Sequence, residues 1–520
     1  MIPFRTRSVG IVVAALLAFS TIPGTDAAGP AKPNVVVIMT DDQTVHALSA
    51  MTATRALLSD AGATFTRSYS SFPLCCPSRA TFLTGRYAHN HGVLENEPPT
   101  GGYYRLDSRN TLPVWLQAAG YRTVHVGKYL NDYGTKDPTE VPPGWSDWHG
   151  LVDPSTYRMW GYTINDNGAL TTYGDFDDED PALYQTDVLR GKAVEAINAA
   201  DDDGRPFFMT FWTLAPHREV TTLADQGGPR PAPRHAGTFA DLAMPRPPSF
   251  NEADMSDKPL YMRLKPSLDA AAIADIEQRY RNELESLLAV DEAVAAIVDT
   301  LATKGMLDDT YIVFTSDNGF FHGEHRTPVE KILAYEPSSK VPLLIRGPGI
   351  AGGTVIDELV ANVDLAPTIV ALTGAKPSRP MDGRSLLPFI ADPARHTRRP
   401  ILLESLIPIG GSLLEFFTSQ FPAPASIARS EAAGPLPSLP LGQAVLPYQG
   451  IHTGRYVYLE YITGEHELYD LAVDPWQLRS RHLDPRYLRT QVALALELLR
   501  LRLCFGDLCR AETGAIPAPG

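Results

Sequence analysis

The sequence predicts an α/β fold, a mostly parallel sheet flanked by helices, followed by a smaller C-terminal α+β domain. Three observations predict it. Short apolar runs without alternation recur along the chain, helical periodicity lies between them, and four of the runs end in charged or amide residues. Runs that stay apolar at successive positions suit strands buried on both faces, as in a parallel sheet covered by helices. Strand alternating with helix defines the α/β class.

The elements follow in order. Arg5 and Arg7 precede an apolar stretch from Gly10 to Ser20, and Thr25-Asp26-Ala27 then offers small residues. This pattern reads as a signal peptide, 1–28. The stretch is too short to cross a bilayer, which takes about 20 apolar residues. The expectation is export with cleavage, no membrane span afterwards, and a secreted or cell-surface protein. Strands are expected at Asn34 to Met39, Arg122 to Val126, Phe207 to Leu214, Tyr311 to Thr315 and Val341 to Ile345. Helices are expected at Leu48 to Ala61, Leu112 to Ala119 and Ile276 to Lys304. The last carries Leu284, Leu287, Leu288, Val294, Val298 and Leu301 at helical spacing. These elements make a main domain of 33–400. Residues 401–450 are expected to be a long loop or insertion, because Ser405 to Gln449 is rich in Pro, Ser, Gly and Ala without periodicity. Leu413 to Phe416 is an apolar patch within it. Strands at Gly454 to Tyr461 and Glu467 to Asp470 and a helix at Thr490 to Leu503 complete a small domain of 451–520.

Composition narrows the function. A chain that is 44% hydrophobic and 20% charged buries a core and is not disordered as a whole. A formal net charge of −15 argues against nucleic-acid binding, which wants a basic face. It also argues against a broad basic groove for a long polyanion, while leaving room for a few local cations around a small anionic group. The four cysteines fall in two close pairs. In an oxidising compartment Cys504 and Cys509 are expected to form a disulfide that closes a short loop. Cys75 and Cys76 are adjacent, so two thiols side by side in an exported protein want a chemical reason.

The polar strand ends supply a candidate site. In open α/β sheets ligands bind beyond the carboxyl ends of the strands. Four runs deliver Asp41 and Asp42, Lys128, His217, and Asp317 and Asn318 to that edge.

Cys75-Cys76-Pro77-Ser78-Arg79 continues through Ala80 to Leu83 into Thr84-Gly85-Arg86. The stretch resembles the type I sulfatase signature, C-x-P-S-R followed by x4-T-G-R. The resemblance implies an alkaline-phosphatase-like fold and hydrolysis of sulfate monoesters. It implies that a formylglycine-generating enzyme converts Cys75 to formylglycine, with Cys76 at the variable position. A thiol that attacked sulfur would be left as a stable thiosulfate. A hydrated aldehyde offers one hydroxyl to attack sulfur and a second to expel sulfate as the aldehyde re-forms, which is covalent catalysis in two easier steps.

The same resemblance assigns a metal to Asp41, Asp42, Asp317 and Asn318, with the group at Cys75 beside it. Hard oxygen ligands suit calcium, or magnesium, better than zinc. It implies that Arg79 stabilises the nucleophile, and that Lys128 and Lys331 (in Lys331-x3-Tyr335-Glu336) hold the sulfate. His217, in Ala215-Pro216-His217, is implied near the leaving oxygen. Many sulfatases carry histidine two residues after the Lys128 position, where this chain has Leu130; Asn131 is the candidate to fill part of that role, and His322 and His325, which follow the Asp317 loop closely, are candidates to contribute to the pocket. Gly127-Lys128-Tyr129-Leu130-Asn131, Glu467-Leu468-Tyr469-Asp470-Leu471 and the terminal Cys504-x4-Cys509-Arg510 look most like the N-acetylglucosamine-6-sulfatase branch, which implies sulfated amino sugars, as a sulfated small molecule or glycan, as substrate. The competing expectations are a formylglycine-dependent phosphodiester or phosphonate hydrolase of the same fold, and a non-catalytic sugar-binding protein.

Overall fold

Alternate residues of β1 (Asn34–Thr40) enter different cores, which is why the strand reads as an unbroken apolar run. Val36 and Ile38 join one buried cluster; Val35, Val37 and Met39 join another. Successive side chains of a strand point to opposite faces, so this sheet is covered on both sides. Each aliphatic side chain so buried contributes about 1.5–3 kcal/mol. The structure is a computed structural model and describes residues 1–3, 32–220, 228–406 and 445–520. The expected signal peptide lies outside the described residues apart from 1–3.

The first sheet continues with β2 (Ala63–Tyr69), β3 (Arg122–Gly127), β4 (Asp147–Leu151), β5 (Tyr162–Asp166), β6 (Ala169–Tyr173), β7 (Phe207–Trp212), β8 (Thr310–Ser316), β9 (Leu343–Arg346) and β10 (Thr354–Ala361). The strand order is β10-β2-β9-β8-β1-β7-β3-β4-β5-β6. The central run β8-β1-β7-β3 is parallel throughout, so its four carboxyl ends share one edge. β9 is antiparallel to both neighbours, and β4-β5-β6 is an antiparallel extension. The sheet is thus mixed and mostly parallel, as the alternation predicts.

Helices cover both faces. On the Val36 side lie α3 (Gln185–Asp203), through Leu189, Ala193 and Ile197, and α4 (Ala270–Thr303), through Leu284, Leu287 and Val294. On the other side lie α1 (Cys75–Thr84), α2 (Leu112–Ala118) and α5 (Leu365–Thr373), through Phe82, Leu116 and Ile369. α4 starts six residues before the apolar periodicity does, because Asp269 caps it by accepting the Ala272 amide at 2.8 Å. The helix expected at Leu48 to Ala61 is broken instead into a 3-10 turn (His46–Ala50), a short helical turn (Thr52–Thr54) and a π turn (Arg55–Ser59). The Asp291 carboxylate takes the amides of Ala53 and Thr54 and starts a fresh turn there.

A second, antiparallel sheet follows: β11 (Ile401–Ser405), β12 (Tyr448–His452), β13 (Tyr456–Tyr461) and β14 (His466–Asp470), in that order. Helix α6 (Leu488–Arg502) packs against it through Leu494, Leu498 and Leu501. The sheet begins at Ile401, so 401–405 and 448–450, both within the stretch expected to be loop, are strand. Every residue of β11 is buried, and it pairs with a strand more than 40 positions later, which local composition cannot reveal. Residues 407–444, with the Leu413 to Phe416 patch, lie outside the described residues. Cys504 and Cys509 are joined as a disulfide. Among the described residues no helix is long and apolar enough to cross a membrane.

Candidate active site

The site forms where the parallel register sets four strand ends side by side. Thr40 of β1 is level with Ser316 of β8, and Met39 and Gly127 are both level with Trp212 of β7. The next residues on each strand therefore meet. The Asp317 amide donates to the Thr40 carbonyl at 3.2 Å, and the Lys128 amide to the Trp212 carbonyl at 2.8 Å. Asp42 takes φ +67°, a left-handed conformation that aspartate tolerates, and its amide donates to Asp317 Oδ1 at 3.3 Å.

Helix α1 brings the motif residues into this ring. Cys75 and Arg79 lie four residues apart and so share a helix face. The Arg79 guanidinium, fully buried, donates to Asp317 Oδ2 at 2.8 Å, to Asp41 Oδ2 at 2.9 Å and to the Lys128 carbonyl at 2.9 Å. Ser78 donates to the Asp317 carbonyl at 2.5 Å, and Asn362 donates back to the Ser78 hydroxyl at 2.9 Å. Gly85 ends the helix at φ +64° and returns its amide to Thr81; a side chain there would strike Met381. The distal half of the motif thus stops the helix in the left-handed turn that glycine favours. Cys76 points away into the core beside Ala80 and Phe82.

Cys75 stands at the amino end of α1, where the helix dipole favours negative charge. Its Sγ is 3.4 Å from Asp41 Oδ1 and 2.9 Å from Lys331 Nζ. Lys331 Nζ also donates to Asp42 Oδ1 at 2.5 Å, and Lys128 Nζ to Asp41 Oδ2. Burial would raise Asp41, but the charges of Lys128, Arg79 and Lys331 outweigh it and hold the carboxyl well below the usual range. Burial pushes Asp42 up, and pushes Asp317 up to about 6. Burial would also neutralise both lysines, but Asp41 and Asp42 keep them protonated. Burial and the Asp41 charge push the Cys75 thiol up to about 12, so as a thiol it stays protonated at neutral pH.

His217 follows β7. Its Nδ1 donates to the Arg218 carbonyl at 2.6 Å, which leaves Nε2 turned toward Asp42, 3.7 Å from Oδ2. Burial holds the ring well below its usual pKa, so it is neutral.

The residues fit a hard divalent cation. Asp41, Asp42 and Asp317 place oxygens within 4.8 Å of one another. Asn318 donates to Asp42 Oδ1 at 2.6 Å, while its buried Oδ1 has no hydrogen-bond partner. An amide oxygen so placed among carboxylates is a ligand in waiting.

All nine residues singled out in the sequence come together here. Three other candidates make contacts outside this cluster. His322 is tied to Glu283 and His325 to Glu252, each at 2.6 Å, and neither joins the cluster. Asn131 donates to the Tyr157 hydroxyl at 2.6 Å. Tyr157 itself carries no sequence signal, yet its ring lies 4.7 Å from Lys128 Nζ and 5.3 Å from the His217 ring. Beside the cluster a cavity of about 620 Å³ begins two residues past Asp42 and two past Asn318. His46, Tyr280, Phe320, His322 and Trp476 line it.

Comparison with known proteins places these features. The family model "Sulfatase" matches residues 33–375. The chain is 37% identical over 390 residues to human N-acetylglucosamine-6-sulfatase, covering 73% of this chain and 68% of that one. It is 32% identical over 541 residues to the arylsulfatase of Volvox carteri, covering 96% and 78%. Among solved structures, one in complex with its substrate D-glucosamine-2-N,6-O-disulfate superposes with a TM-score of 0.71 at 23% identity, over 92% of this chain and 98% of that one. The phosphonate monoester hydrolase of Agrobacterium radiobacter shares the fold, with a TM-score of 0.63 at 23% identity over 91% and 95%. With the family model spanning most of the chain, the protein belongs to the sulfatase family and is a sulfuric ester hydrolase.

Proposed function

We propose that the chain is an exported sulfatase acting on sulfate monoesters of sulfated amino sugars. In this reading Cys75 is carried as formylglycine, made by a formylglycine-generating enzyme, and Asp41, Asp42, Asp317 and Asn318 hold calcium, or magnesium in its place. One observation carries the reading: Sγ of Cys75 lies inside the charged cluster, within 3.4 Å of both Asp41 and Lys331. Sγ stands where the oxygens of the converted residue would be. That residue would supply a geminal diol and the metal a Lewis acid.

The remaining work falls to the chain's own side chains. Lys128 and Lys331 approach the Cys75 position as protonated, desolvated ammonium groups, placed to hold the sulfuryl oxygens as charge develops on them. Arg79 cannot swing, because Asp317, Asp41 and the Lys128 carbonyl hold it; it keeps positive charge beside the nucleophile and keeps the two carboxylates apart. His217 is locked through Nδ1, so its Nε2 faces the cluster with a lone pair that can take up a proton, and only the imidazolium so formed could pass one to the leaving oxygen. Export rests on the amino-terminal sequence pattern.

The amino-sugar reading is supported by the activity named for the N-acetylglucosamine-6-sulfatases of human and Bacteroides thetaiotaomicron, 37% and 27% identical. The cavity supports it too, since aromatic rings stack on sugar faces. Trp476 at its rim is 47% exposed. Trp476→Ala is expected to raise KM several-fold for a sulfated oligosaccharide and to leave KM for an aryl sulfate unchanged. Equal values on the oligosaccharide would remove the cavity from the substrate path.

Two measurements test the whole reading. The rate on an aryl sulfate should exceed that on an aryl phosphodiester; a much faster diester would make the protein a hydrolase of the phosphonate type instead. Removing divalent cations with a chelator should lower the thermal unfolding midpoint, and calcium should restore it. At a thousand times Kd the ion would contribute about 4 kcal/mol. A midpoint that ignores both additions would take the metal out of the account.

A further inference from the structure

The residue after Lys331 is held in a conformation its own side chain disfavours. Ile332 has φ +81°, where a β-branched residue is a genuine outlier. Such backbone persists only where its surroundings over-determine it, and it gathers at functional sites. The surroundings here are specific. The Ile332 amide donates to the carbonyl of Pro73, two residues before Cys75, at 2.9 Å. The Ile332 carbonyl accepts from the Tyr448 hydroxyl on β12. Three residues further on, the Tyr335 hydroxyl donates to Glu467 on β14 at 2.7 Å. Glu467 is fully buried and also accepts from Tyr461, at 2.6 Å, and from Tyr469.

The segment 331–335 is therefore fastened at both ends to the second sheet, and near its start to the chain that leads into Cys75. Lys331 Nζ reaches Cys75 Sγ and Asp42 Oδ1 from this segment. Rotation of Ile332 to negative φ turns the Lys331–Ile332 peptide. With Tyr335 anchored, the movement falls on Lys331.

We propose that the C-terminal sheet is a positioning device for the reaction: Tyr448 holds Ile332 in its left-handed conformation and so keeps the Lys331 ammonium at the reacting atom, with Glu467 fixing the far end through Tyr335. This rests on the reading above that Lys331 acts on the ester. Tyr448 and Glu467 are positioning residues, since neither touches the Cys75 cluster.

The test is a double-mutant cycle on the full chain with Cys75 conversion verified by mass, using 4-nitrophenyl sulfate as probe. Glycine adopts positive φ without the penalty. Tyr448→Phe should lower kcat about tenfold in the parent chain, with KM changed far less, because a small misplacement of a catalytic group is costly. In the Ile332→Gly background the same substitution should lower kcat by no more than about twofold, a coupling between contacting residues. Glu467→Gln should lower kcat with the same KM pattern as Tyr448→Phe and reads the far anchor independently. Loss by the same factor in both backgrounds, with matching falls in unfolding midpoint, would make Tyr448 a merely structural residue and overturn the proposal. So would an unchanged kcat in both Tyr448→Phe and Glu467→Gln. A parent chain that leaves 4-nitrophenyl sulfate intact would instead overturn the underlying reading, and this inference with it.

Discussion

Cys75→Ala is expected to lower kcat on every sulfate ester by about 10⁵-fold or more, the scale seen when a covalent nucleophile is removed, with the fold intact. Folding is expected to stay intact because of what the thiol touches. The hydrogen-bond partners of Cys75 Sγ, Asp41 and Lys331, both keep other partners: Asp41 keeps Arg79 and Lys128, and Lys331 keeps Asp42. The apolar packing of α1 is carried by Ala80, Phe82 and Leu83, which the substitution leaves alone. Steady-state kinetics on an aryl sulfate, with the unfolding midpoint as control, decide it. A loss under tenfold would mean that Cys75 does not carry the reaction.

Asp317→Asn is expected to lower both activity and stability. Asp317 is the point where three systems meet. Its Oδ2 pairs with buried Arg79, its Oδ1 accepts the Asp42 amide, and its oxygens belong to the carboxylate set that fits a cation. Breaking one side of a buried ion pair costs about 3–5 kcal/mol, because the remaining charge stays buried. Asp41 still faces Arg79, so the lower end of that range is expected. Activity should fall at least about 10³-fold, since the change disturbs both the cation set and the guanidinium beside Cys75. The calcium-dependent part of the unfolding midpoint should shrink as well. A variant with full activity and an undiminished calcium response would show that Asp317 is not a ligand.

How much of this could be read in the sequence depended on which interactions were local. β1 and β8 were legible because burial on both faces leaves a continuous apolar run. β4 to β6 were not: β6 is almost wholly exposed, and short polar strands resemble loops. Asp41, Asp42, Lys128, His217, Asp317 and Asn318 were legible because a parallel sheet sends the ends of its central strands to one edge, Cys75 and Arg79 because the signature reports them together, and Lys331 only through the resemblance carried by Lys331-x3-Tyr335-Glu336. The structure adds the reason for the other signature positions, with Ser78 tying α1 to the Asp317 loop and Gly85 turning the chain out of the helix. Tyr157 was illegible, since it reaches the site from a loop that no spacing connects to Lys128. His322 and His325 follow Asp317 closely; Glu283 and Glu252 hold them outside the charged cluster, and His322 lines the cavity beside it. The strained Ile332 was also invisible, as no residue type there announces a positive φ.

The central claim is that Cys75 is a precursor and not the working group. Peptide mass spectrometry across Cys75, on protein purified from the organism that makes it, tests this most directly. The account predicts the mass of an aldehyde in place of the thiol, oxygen for sulfur with the loss of two hydrogens. An unmodified thiol in fully active protein would contradict it.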